Sequence, residues 1–257
     1  MKKVIVLLLT GSLATLLHAT TPQPAPAPAI VYVNGVGNTF DKAVASLQVL
    51  KNKLNSRDTD KAYMYGNAYN ATEGAFLDVR QVFGTKAIEG STPADFWRAI
   101  DGDTLPAGGM DAALQRKYID ILAANHIPEL PGHLGKYRAF LKQKRQIVLV
   151  AHSQGSLYAN FAINLLVTGP DQAQGKISTV NVGNAARYQL PGSSYVTSDS
   201  DTVINLLRAV TEVLPANYSV RNRPSADSLG HSFVKTYLNA KLPLAEEILK
   251  QVSLQAE

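Results

Sequence analysis

The sequence predicts an α/β fold: a mostly parallel central sheet with helices on both faces, carrying a helical cap insertion. Two observations predict it. Short β-prone runs alternate along the chain with stretches of helical spacing, the order in which crossover helices join parallel strands. The runs at 30–33 and 146–151 are also apolar at almost every position rather than every second one, as strands covered on both faces are. With 257 residues, 46% hydrophobic and 18% charged, the chain has apolar material for one well-buried core plus an insertion.

Residues 1–19 read as a secretory signal, with Lys2 and Lys3 ahead of the apolar run Val4 to Leu9 and a small residue, Ala19, at the expected cut. Thr10, Gly11, Ser12 and Thr15 interrupt the roughly 20 clean apolar residues that a membrane anchor needs. Export to the periplasm or the medium is therefore expected, with no stable membrane anchor after cleavage. Residues 20–29, with Pro22, Pro24, Pro26 and Pro28, form a stiff spacer, because each proline lacks an N–H and fixes φ. The folded domain is expected over 30–257.

Ile30 to Val33 is a buried strand ending in the glycine-rich turn Asn34, Gly35, Val36, Gly37, Asn38. Apolar residues at 40, 43, 44, 47, 50 and 54 make a helix, and Ala62 to Tyr65 a second strand. An insertion over about 70–145 is helical and loop-like. Positions 36 and 153 lie 117 residues apart, more than one or two β-α-β crossovers of about 30 residues require. Phe76, Phe83, Phe96, Trp97, Leu114 and Ile121 are candidates to line a pocket beneath this cap, or simply to pack helix on helix. Gln146 to Ala151 is the clearest strand, followed by a helix over Leu157 to Val167. Strands return at Ile177 to Val182 and Ser194 to Thr197, and a further helix at Val203 to Val210.

The bulk chemistry excludes several functions. The net charge of +5 becomes +3 once Lys2 and Lys3 are removed, and no basic run is interleaved with aromatics, so no nucleic-acid partner is expected. The absence of cysteine excludes disulfides, thiolate nucleophiles and cysteine-ligated zinc.

Between the clearest strand and its helix lies Ala151-His152-Ser153-Gln154-Gly155. Small residues two before and two after a serine let the chain turn sharply, so that the hydroxyl projects above the sheet as in a G-x-S-x-G elbow; here Ala151 replaces the first glycine. The plainer alternative is a serine that only caps the following helix. With its flanking strand and helix, the motif resembles the elbow of the α/β-hydrolase superfamily, in its lipase and esterase branch, and the resemblance covers about residues 30 to 240.

That resemblance implies a serine hydrolase acting on a small-molecule acyl ester or lipid, without metal or other cofactor, and the chain order Ser, acid, His. Of the histidines at 18, 126, 133, 152 and 231, only His231 follows Ser153, which makes it the candidate base. His152 belongs to the elbow and should point away from the serine hydroxyl. The acid is expected after a late strand; Asp201, followed by Val203 and Ile204, fits better than Asp199, with Asp227 and Asp171 as weaker rivals. Helix capping is the alternative role for Asp201. The oxyanion hole would take the N–H of Gln154, next after the nucleophile, and, carried over from the His-Gly turn of lipases, that of Val36. A thioesterase, acyltransferase or peptidase would share this triad, and a binding module without activity could share the fold.

Overall fold

The structure is a computed structural model and describes residues 24–35, 38–70, 129–210 and 212–257. Among the described residues five strands form one sheet: β1 (Ala29–Val33), β2 (Met64–Ala68), β3 (Ile147–His152), β4 (Ile177–Val182) and β5 (Ser194–Val196). They lie in the order β2-β1-β3-β4-β5, and every pairing is parallel. Parallel neighbours cannot be joined by a hairpin, so the chain crosses over between them. The described helices are α1 (Phe40–Arg57), α2 (Leu130–Lys142), α3 (Gly155–Thr168), α4 (Thr202–Val210), a π-helical turn (Phe233–Tyr237) and α5 (Pro243–Gln255).

Strand alternation divides the core into two layers. Ala29, Val31 and Val33 of β1 with Ile147, Leu149 and Ala151 of β3 pack against Leu130 and Tyr137 of α2 and against α3. Ile30 and Tyr32 with Val148 and Val150 face the other way, onto Leu50 and Leu54 of α1, Phe233 and Tyr237 of the π turn, and Ile248 and Val252 of α5. Both sheet faces are covered, which is why β1 and β3 are buried at every position. This is the α/β class that the unbroken apolar runs predict.

Several boundaries differ from the sequence reading. Ala29, assigned to the spacer, opens β1: it sits opposite both Met64 and Ile147, and its N–H donates to the Gln146 carbonyl at 2.8 Å. The second strand runs over Met64–Ala68 rather than Ala62 to Tyr65, because pairing with Tyr32 and Val33 carries it on to Asn67 and Ala68. The closing stretch of the expected insertion forms α2, which packs directly on the sheet through Tyr137. The expected signal, residues 20–23 of the spacer, and the insertion between 71 and 128 with its six candidate pocket residues lie outside the described residues.

The strand order places the site. From β1 the chain steps outward to β2, then returns past β1 to β3 and continues to β5, so its direction reverses between β1 and β3. Loops leaving neighbouring strands on the two sides of such a reversal part company and open a crevice at the carboxyl edge of the sheet. Asn34 and Gly35 leave β1 there, and Ser153 leaves β3.

Candidate active site

Ser153 follows the last residue of β3 at φ +56°, the left-handed region that a side-chain-bearing residue enters only when its surroundings hold it there, at a cost of about 1–3 kcal/mol. Three hydrogen bonds do the holding. The Ser153 N–H donates to the Val182 carbonyl at the end of β4 (2.9 Å), and the Ser153 carbonyl accepts from the Ser156 N–H (3.0 Å) and hydroxyl (2.7 Å). Close packing completes the turn. A Cβ on Gly155 would lie 2.6 Å from the Val33 carbonyl oxygen, and one on Gly35 would lie 2.8 Å from the Ser153 Cβ. Both positions need glycine because two loops pass at backbone contact.

The hydroxyl aimed by this turn meets His231, whose Nε2 lies 3.0 Å from the Ser153 Oγ. The other ring nitrogen, Nδ1, lies 2.8 and 3.0 Å from the Asp201 carboxylate oxygens. The tautomer protonated at Nδ1 satisfies both contacts, donating to Asp201 and leaving Nε2 to accept from the serine. Asp201 is fully buried while His231 keeps 18% of its side-chain surface exposed, so the imidazole faces the crevice and the carboxylate lies behind it.

Asp201 makes the contacts that both readings from sequence require. Its Oδ1 accepts from the Ile204 N–H at 3.0 Å and so caps α4, while its Oδ2 also accepts from the Tyr237 hydroxyl at 2.7 Å. Burial, and then the negative charge of Asp201, raise the Tyr237 phenol well above its ordinary range, so it stays a donor. The rival acids are all engaged elsewhere. Asp199 accepts from the Ser219 hydroxyl (2.7 Å) and the Val220 N–H (2.9 Å), contacts that hold its carboxyl below the usual range. Asp227 accepts from the Ser232 N–H (2.7 Å) and the Thr236 hydroxyl (2.6 Å), bracing the loop that carries His231. Asp171 pairs with Arg138 at 2.9 Å.

Of the two candidate oxyanion donors, Gln154 stands at the N-terminus of α3, and among the described residues its N–H has no acceptor. Val36 lies outside the described residues. The residues before it are firmly placed: the Asn34 side chain accepts from the Asn70 N–H (2.9 Å) and donates to the Asn70 carbonyl (3.0 Å), while the Asn70 side chain donates to the Asn34 carbonyl (2.6 Å). This reciprocal pair ties the loop after β1 to the chain leaving β2.

Sequence reasoning passed over Tyr237 and Asn70, named Asn34 only within the glycine-rich turn, and expected of His152 that it points away from the serine hydroxyl. Tyr237 lies six positions after His231, within reach of its acid only because the π turn folds back under it. Asn34 and Asn70 had no signal linking them. His152 had one, since strand alternation turns it to the face opposite Ser153, towards the layer that holds the π turn. Of the remaining histidines, His133 belongs to α2, with its Nε2 3.0 Å from the Tyr69 carbonyl oxygen, and His18 and His126 lie outside the described residues. Among the described residues no group of histidines and carboxylates could hold a metal ion, and no helix is long and apolar enough to cross a membrane. Comparison of the sequence with protein-family models and with curated proteins found no match.

Proposed function

We propose that the chain is a serine hydrolase of the α/β-hydrolase type that cleaves a carboxylic ester through an acyl-enzyme on Ser153. The observation that carries this reading is the unbroken line from the Ser153 Oγ to His231 at 3.0 Å and from His231 to Asp201 at 2.8 Å, built by three separate loops at one edge of the sheet. The strand order alone would not choose, because other doubly wound sheets use the same one.

In the proposed reaction His231 takes the Ser153 proton through Nε2 as the oxygen attacks the ester carbonyl, and then returns it to the leaving alcohol. Water, deprotonated by the same nitrogen, attacks the acyl-enzyme and releases the acid. Asp201 holds the ring in the productive tautomer and stabilises its cation. The N–H of Gln154, and that of Val36 in the proposed second position, would face the developing oxyanion. The sequence of steps needs no metal or organic cofactor. The signal-like N-terminus extends the proposal to export, with an acyl ester or lipid met outside the cytoplasm as substrate.

A fluorophosphonate probe tests the reading directly. Wild-type protein is expected to be labelled and to hydrolyse p-nitrophenyl esters, while Ser153→Ala keeps its fold, takes no label and loses turnover by several orders of magnitude. Ester turnover retained in Ser153→Ala would remove the assignment, and a wild type inert to both reagents would favour a binding module. A series of esters of increasing acyl length reports the depth of the pocket.

A further inference from the structure

The residue before the nucleophile is the most unusual polar group in the core. His152 is buried at the carboxyl end of β3, on the layer opposite the serine, where a purely structural position would carry another Val or Ile like 148 and 150 below it. Its Nε2 lies 2.8 Å from the main-chain carbonyl oxygen of His231. A carbonyl only accepts, so this nitrogen carries the proton. The imidazole lies 4.8 Å from the His231 ring, centroid to centroid, with Phe233 at 5.5 Å and Tyr237 at 6.0 Å enclosing it. Nδ1 has no partner among the described residues. Burial, and then the neighbouring His231, push the group down to about 3, so it is a neutral donor at any ordinary pH.

We infer that His152 is a positioning residue: its Nε2–H fixes the main chain of His231 and so sets the distance from the His231 Nε2 to the nucleophile. The inference rests on the hydrolase reading above. The His231 side chain is directed by Asp201, but its backbone sits in a loop between Gly230 and the π turn. Asp227 braces the loop one residue further on, at the Ser232 N–H, while the His231 carbonyl itself is held by His152. His152 supplies the anchor from the same strand that carries Ser153, one residue away. Nucleophile and base are thereby referenced to one rigid element. A displacement of about 1 Å at such a contact costs on the order of 10²-fold in rate. Losing the donor would also leave a part-buried carbonyl without its partner.

The test compares three variants. In Gln the side-chain amide reaches as far as the imidazole Nε2 and keeps the donor; in Asn it stops one bond short; Phe keeps the ring volume without any donor. Each variant is measured for thermal melting, for fluorophosphonate labelling rate at Ser153, for kcat and KM on one activated ester, and for the downfield proton signal of the His231 Nδ1–H. His152→Phe is expected to melt close to wild type, to lose about 10²-fold in labelling rate and kcat with little change in KM, and to shift the Nδ1–H signal. His152→Gln is expected to restore most of the rate and the wild-type signal, and His152→Asn to behave like Phe. Wild-type rates in His152→Phe, or equal losses in Gln and Phe, would overturn the inference while leaving the hydrolase reading standing. If His152→Phe does not fold, the contrast between Gln and Asn decides on the same readouts. A wild type that takes no label would overturn the hydrolase reading, and this inference with it.

Discussion

Asp201 is fully buried and accepts from three donors, His231 Nδ1, Tyr237 Oη and the Ile204 N–H, whereas Asp199 is turned onto Ser219 and Val220. The two carboxylates stand two residues apart in one turn, so they make a controlled comparison. Asp201→Asn replaces one acceptor oxygen with an amide that cannot stabilise the imidazolium, and is expected to lower ester turnover by about 10³ to 10⁴. Asp199→Asn is expected to cost far less, and steady-state rates of both purified variants on one activated ester check it. A larger loss for Asp199→Asn would move the acid role to that residue. The elbow motif was enough to single out Ser153, the order of residues along the chain His231, and the helical run expected from Val203 to prefer Asp201. The partners of these residues were not legible. His152 and Tyr237 reach His231 and Asp201 only because the π turn after His231 packs against β3, and no local pattern encodes how such a turn docks.

At the scale of elements, the turn that carries Ser153 after β3 meets the turn after β1 in close contact. A methyl group on Gly35 would stand 2.8 Å from the Ser153 Cβ, 3.0 Å from the His152 carbonyl oxygen and 3.4 Å from the Ser153 Oγ. A main-chain carbonyl and the Cβ of a tightly held turn leave little room to yield, so Gly35→Ala is expected to destabilise by about 1–3 kcal/mol and to slow acylation of Ser153. Thermal melting and fluorophosphonate labelling measure the two effects separately, and a variant with wild-type labelling would show that the loop moves aside freely. The buried strands were legible from their unbroken apolar runs. Their exact ends were not, because pairing decides them: Ala29 joins β1 through its neighbours in β2 and β3, and β2 slides towards Ala68 to match Val33.

At the scale of the whole molecule, a polar cluster joins the end of α1 to α5. Asp58 accepts from the Tyr63 hydroxyl (2.7 Å), from Arg57 (2.7 Å) and from the Ser253 hydroxyl, while Arg57 also reaches Glu246 at 3.2 Å and Lys61 reaches Glu257 at 2.7 Å. Burial by itself would push the Asp58 carboxyl up, but the hydroxyls of Ser253 and Tyr63, and then Arg57, outweigh it and hold the group below its ordinary range. A carboxyl depressed in the folded state stabilises the protein fully above its unfolded value near ~3.9, and that contribution is lost as pH falls through the lower folded value. Asp58→Asn is therefore expected to cost about 1.5–3 kcal/mol at neutral pH, with the difference from wild type shrinking as the pH drops below about 4. Denaturant melts at a series of pH values read this directly, and a pH-independent difference would mean that the ionised carboxylate is not what matters. Nothing local in the sequence marks these pairs, since their members stand as much as 196 residues apart. The same separation has a consequence for how the protein is made. The apolar side of α1, emerging early from the ribosome, meets its covering helix only once residues 243–255 have been synthesised, and none of the described strands can pair with a neighbour as a quick local hairpin in the meantime. The nascent chain thus carries an open greasy flank through most of its translation, so holding chaperones should bind it there, and any nonsense product ending before α5 should be a client for proteolysis rather than a slower version of the same protein.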